Sequence, residues 1–148
     1  MSTRILWGNA AVVCLLMTGC IQSNSNPSTS PVTGKVIHQG KAVEGATIQF
    51  LPSDPKNKVA NAQSDAEGKY VLSTFETGDG AMPGKYKVTV RKLVSVQEGV
   101  QKDGENAGEP AYVNKDMLPK KYRSAGSTTL EYTVTADGEN TFDIDLPK

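Results

Sequence analysis

Pro83-Gly84-Lys85-Tyr86-Lys87-Val88-Thr89-Val90 is the stretch from which the fold can be read. After the Pro-Gly turn, Tyr86, Val88 and Val90 point to one side. Lys85, Lys87, Thr89 and Arg91 point to the other. A period of two is the geometry of a β-strand, and apolar residues against charged ones mean one dry face and one wet face. That is the pattern of an antiparallel sheet half covered by a core.

The same alternation recurs downstream. In 129–135, Leu130, Tyr132 and Val134 oppose Thr129, Glu131, Thr133 and Thr135; in 141–146, Phe142, Ile144 and Leu146 oppose Thr141, Asp143 and Asp145. Weaker strands are expected upstream at 32–38, 46–51, 59–64 and 69–73. The punctuation agrees: Gly40 and Gly45 bracket one connection, and Asp65-Ala66-Glu67-Gly68 precedes Tyr70. Asp137-Gly138 reads as a tight hairpin joining the last two strands. About seven strands without a helical stripe predict an all-β fold, an antiparallel two-sheet sandwich. Residues 93–127 stand out as one long loop: 97–110 is polar enough to be mobile, and Ala111 to Tyr122 has apolar anchors for a sheet edge.

The N-terminus reads differently. Arg4 precedes an apolar run that closes on Leu16-Met17-Thr18-Gly19-Cys20. A basic start, a short apolar stretch and small residues before a cysteine form a lipoprotein signal rather than a membrane span. The expectation is cleavage between Gly19 and Cys20, with lipidation of Cys20. Residues 1–19 would be the signal, 20–31 the lipidated Cys and a Ser/Asn/Pro-rich tether, and 32–148 the folded domain. Acyl chains worth about 0.8 kcal/mol per buried methylene would hold the chain to a bilayer, outside the cytoplasm. Ile21 after the Cys favours the outer membrane if there are two.

The whole chain has 16 basic and 16 acidic side chains, and the signal carries only Arg4 away. That balance offers no phosphate-neutralising face, so nucleic acid is not an expected partner. Both cysteines, Cys14 and Cys20, fall in the signal or at the lipid. The mature domain would therefore rest on packing without disulfides.

Three short motifs resemble the carboxypeptidase regulatory-like family, a transthyretin-like (prealbumin-like) sandwich. They are Gly34-Lys35-Val36 with Gly40-Lys41-Ala42-Val43-Glu44-Gly45-Ala46-Thr47-Ile48-Gln49-Phe50, then Ser64-Asp65-Ala66-Glu67-Gly68-Lys69-Tyr70, then Pro83-Gly84-Lys85-Tyr86-Lys87-Val88-Thr89-Val90. Ala42 stands where the family usually has Pro, and Ser64 where it has Thr. In carboxypeptidases this domain accompanies a separate catalytic domain, so the resemblance implies an accessory role and no catalytic residues.

The residues themselves offer little catalytic chemistry. His38 is the single histidine and sits at a strand end, as a surface turn residue would. Zinc needs three or four His, Cys or carboxylate ligands, and a single His with no free Cys does not suit a standard zinc site; Asp65, Glu67 and Gly68 fit a hairpin better than a calcium loop. Asp143 and Asp145 lie on a wet strand face rather than across a cleft. Lys35 and Asn140 have the sequence positions of a first-strand/last-strand crosslink, though a solvated Lys and a turn Asn explain them more simply. No cofactor is expected. The principal expectation is a non-enzymatic, lipid-anchored envelope protein that contacts a partner protein or serves a structural role. The alternative is a glycan- or small-molecule-binding module using Tyr112 and Tyr122 as exposed stacking platforms.

Overall fold

The computed structural model describes residues 27–147, which form an all-β sandwich. One sheet orders β4 (Ala60–Gln63), β3 (Thr47–Pro52), β6 (Gly84–Arg91) and β9 (Glu131–Val134), all antiparallel. The other is built around β1 (Val32–His38). It has β10 (Asn140–Thr141) and β11 (Ile144–Leu146) on one side, with β2 (Lys41–Ala42) and β5 (Lys69–Val71) pairing the same strand. The alternation in 83–90 holds on its dry side, with Tyr86, Val88 and Val90 buried against Ile48 and Phe50; on the expected wet side Lys85 and Arg91 are exposed, but Lys87 is half-buried and Thr89 is buried. Phe50 sits among aromatic rings from both sheets, 5.9 Å from Tyr86, 6.0 Å from Tyr132 and 6.2 Å from Phe142.

Two expectations about pairing are corrected. The last two strands form no hairpin: β9 joins the four-stranded sheet, whereas β10 and β11 cross to β1 and run parallel to it. The Asn140 side chain closes the crossing. Its Oδ1 accepts from Thr135 N at 2.9 Å, and its Nδ2 donates to Thr135 O at 3.0 Å and Gly138 O at 3.2 Å. Burying Ile144 and Leu146 beside Val36, all at 0% exposure, favours this sheet switch. A two-residue periodicity is the same for both strand directions, so the sequence pattern cannot reveal it.

Between β10 and β11 the ladder is interrupted, and both sheets fasten there. Lys35 N donates to Asp143 Oδ1 at 2.9 Å instead of to a carbonyl. The Tyr70 hydroxyl donates to Phe142 O at 2.7 Å, and the Tyr132 hydroxyl to Asp143 O at 3.0 Å. Burial, then the neighbouring Tyr132 and Asp143, push the Tyr70 hydroxyl far above the usual phenol range, keeping it a donor. Asp143 therefore has a structural role beyond keeping an exposed strand soluble.

The third correction concerns 93–127, which is not a loop throughout. Residues Leu93–Val100 (β7) and Pro110–Asp116 (β8) form a separate two-stranded sheet, followed by a short 3-10 turn at Lys120–Tyr122. A bulge between Gln97 and Val100 contains Gly99 at φ +81°, a conformation that L side chains rarely adopt. The hairpin's apolar residues are split between its two faces, and Leu93, Val100, Tyr112 and Val113 stay exposed because it covers no core of its own.

Asp79 organises the turn after β5. Its carboxylate accepts from the backbone N–H of Thr74, Phe75 and Glu76 at 2.7, 3.0 and 3.2 Å. Desolvation pushes this carboxyl up, but the backbone donors together outweigh it and hold it below its ordinary range. A carboxyl lowered by folding stabilises above its unfolded pKa of about 4, and that contribution is lost as pH falls through the folded value. Acid titration of the melting temperature from pH 6 to pH 2 should therefore show a drop that Asp79→Asn reduces. Equal slopes in the two proteins would remove this role.

Candidate functional site

The hairpin leaves the sandwich through a latch built on Asp116, whose side chain is only 3% exposed. Asp116 Oδ2 lies 3.5 Å from Arg91 Nε, at the end of β6, and 3.0 Å from Arg123 Nε, after the 3-10 turn. Arg91 donates a hydrogen bond, while Arg123 Nε meets the carboxylate as a charge without a directed bond. Asp116 Oδ1 accepts from Lys92 N at 3.1 Å and Leu118 N at 3.2 Å, and Met117 N donates to Lys92 O at 2.8 Å. Both ends of the hairpin are thus fixed at one carboxylate.

Above this latch the ribbon is largely exposed, with Val94 and Val96 half-buried on one face. Opposed residues in an antiparallel pair share a face. Val94 with Lys115 and Val96 with Val113 therefore lie on one side, and Ser95 with Asn114 and Gln97 with Tyr112 on the other. Leu93, Val100 and Tyr112 are more than half exposed. The two tyrosines expected to act together are separated in character. Tyr112 is 64% exposed, but Tyr122 is buried at 3%, packed into the core with Lys121 Nζ 4.9 Å from its ring centroid. Tyr122 is thus no stacking platform, because the 3-10 turn directs it inward beside Leu118.

At the hairpin base an open groove of about 400 Å³ runs between Lys92, Val94, Met117 and Leu118 on one bank and the β1–β2 turn on the other. Ala42 and Val43 add apolar surface, while His38, Gln39 and Lys41 give polar atoms to the rim. His38 Nδ1 lies 2.6 Å from Leu146 O; a carbonyl only accepts, so Nδ1 carries the proton. His38 Nε2 is 3.1 Å from the Gln39 amide nitrogen. The histidine expected as an isolated turn residue therefore borders a groove, half-buried and oriented by the last strand.

The remaining candidates resolve structurally. Asp65 Oδ1 accepts from Glu67 N and Lys69 N at 2.9 and 2.8 Å, the bonding of a turn rather than of an ion site. Among the described residues, no three His, Cys, Asp or Glu side chains cluster closely enough to hold a metal. Asn140 pairs in register with Val32, not Lys35, and its amide is occupied by the crossing turn, which argues against the crosslink. Asp143 and Asp145 flank Ile144 on one strand edge. Gly19 and Cys20 lie outside the described residues. No helix of the described residues is long and apolar enough to cross a membrane.

Sequence reading missed Asp116, Lys41 and Lys92 as site residues. Asp116 looks like any surface acid until its two arginines, 25 residues before and 7 after in sequence, are brought together. The only available signal was an Asp directly ahead of Met117-Leu118 in an otherwise polar stretch.

No family model matches the chain, and no curated protein matches it. A 9R-lipoxygenase from Cyanothece PCC8801 aligns with 82% of this chain at 13% identity and a TM-score of 0.37. The alignment spans 16% of the lipoxygenase, and a likeness of that degree carries no argument about fold or activity.

Proposed function

We propose that this chain is a non-enzymatic envelope protein, anchored by lipid at Cys20, whose sandwich holds the 93–116 hairpin out as a contact surface for another protein. The observation that carries this reading is the hairpin itself. It is a two-stranded sheet that shields no core, leaves Leu93, Val100 and Tyr112 exposed, and is nevertheless latched at its base by a buried carboxylate. Isolated hairpins are marginal in water, and apolar side chains on a projecting ribbon are typical of binding surfaces.

Its position suits presentation. The described chain enters through Ser30, which bridges Ala81, and β1 then carries it about 20 Å to His38 beside the hairpin base. A tether from Cys20 would therefore leave the hairpin at the end of the domain away from the anchor. The proposed kinship with carboxypeptidase regulatory-like domains fits an accessory, non-catalytic role. Its support is that the three motifs fall on β1–β3, on the turn into β5 and on β6.

Two measurements test the reading. Cys20→Ala should shift the protein from the detergent-rich to the aqueous phase on detergent partitioning; continued membrane retention would exclude the lipid anchor. Replacing residues 95–114 with Asn-Gly should remove specific crosslinked partner species from intact cells while the melting transition persists. Unchanged crosslinking would show that the hairpin is not the contact.

A further inference from the structure

We infer that the groove between the hairpin base and the β1–β2 turn is a docking site for an extended, acidic peptide segment of a partner protein. This rests on the contact role proposed for the hairpin and names the chemistry that the partner brings. Three observations point to it. The groove floor is apolar, formed by Val43, Val94, Met117 and Leu118. Lys41 and Lys92 stand over it, and neither forms an ion pair among the described residues. Among the described residues no carboxylate lines it, in a chain whose acids and bases are equal in number. The nearest buried acid, Asp116, is already neutralised by Arg91 and Arg123.

A second hollow, over β6 and β9, carries both signs through Lys85 and Glu131, in contrast to the one-sided charge of this groove. The shape favours a strand-like guest over an enclosed small molecule. The groove is open along one side, and β7 has a ladder partner only in β8 among the described residues, leaving main-chain groups on its other edge for an incoming strand. A strand added there would alternate its side chains. Apolar residues would rest on Val94 and Met117, and carboxylates would reach Lys41 and Lys92. Met117, unbranched and 57% exposed, can repack around different apolar side chains.

The test is calorimetric titration of the full chain, held in nonionic detergent, with the capped peptide Asp-Leu-Glu-Val-Asp-Ser. Its Asn/Gln and its Lys counterparts serve as controls. The acidic peptide should bind in the micromolar range and weaken at least fivefold between 50 and 500 mM salt. The neutral peptide should bind at least fivefold more weakly, and the basic one should not bind measurably. Lys41→Glu with Lys92→Glu should reduce acidic-peptide affinity at least tenfold, while Lys56→Glu with Lys58→Glu, the same charge change elsewhere, leaves it unaltered. If the glutamates unfold the domain, Lys41→Gln with Lys92→Gln should lower affinity in the same direction. Equal binding of acidic and basic peptides, no saturation below 1 mM, or indifference to the groove substitutions would overturn the proposal. Partner crosslinking in cells separates the two readings. If it survives Lys41→Glu/Lys92→Glu but is lost with the hairpin, the contact role stands and the acidic groove falls.

Discussion

Gly34→Ala is expected to destabilise the domain by about 3 kcal/mol, at the upper end of overpacking costs. The total stability of such a domain is on the order of 5–15 kcal/mol. A Cβ at position 34 would stand 2.0 Å from Phe142 O and 2.8 Å from the Tyr70 hydroxyl. Those are the partners that fasten β5 to the interruption between β10 and β11. The first clash is with backbone, so no rotamer change relieves it; the main-chain crossing itself must move. Thermal melting should shift down by roughly 10 °C for a domain of this size. Tyr70→Phe in the same chain should not restore it, because the carbonyl remains. Gly126→Ala, where a Cβ meets nothing within 4 Å, provides the neutral comparison. If Gly34→Ala melted with the parent, the close approach of β1 to Phe142 could not be as described.

Asp116→Ala is the second large effect, about 2 kcal/mol and concentrated in the hairpin. Removing a buried acid leaves two guanidinium groups facing each other and two backbone N–H groups without their acceptor. Breaking a fully buried pair costs about 3–5 kcal/mol. The estimate is lower here because Arg91 and Arg123 remain 47% and 33% exposed, so water screens the leftover charges. Amide exchange should accelerate across β7 and β8 while β3 and β6 keep their protection. Asp116→Asn, which retains an acceptor for Lys92 N and Leu118 N, should lose less. Uniform loss of protection over the whole sandwich would mean that the carboxylate supports the core rather than the hairpin. No change would mean that the latch is without consequence.

The strands that became the core were legible in the chain because alternation is a local property. Tyr86, Val88 and Val90, and likewise Ile144 and Leu146, declare a dry side wherever the strand is placed. Partner and direction were not legible. The pairing of β1 with β10 and β11 links residues over one hundred positions apart, and a parallel neighbour imposes the same period as an antiparallel one. The hairpin at 93–116 was hidden for a different reason: its apolar residues fall on both faces and are broken by the polar run Gln97-Glu98-Gly99, so no single dry face declares a strand. Tyr112 and Tyr122 are equivalent as letters; only packing separates a 64% exposed ring from a buried one. By itself, then, the sequence determined that the described domain is all-β and where its core strands run, because backbone sterics and the two-residue period act between neighbours. The tertiary structure alone decided which strands meet, that Asp116 lies between two arginines, and that Lys41 and Lys92 share a groove. Those facts depend on contacts between residues far apart in the chain, which local patterning does not encode.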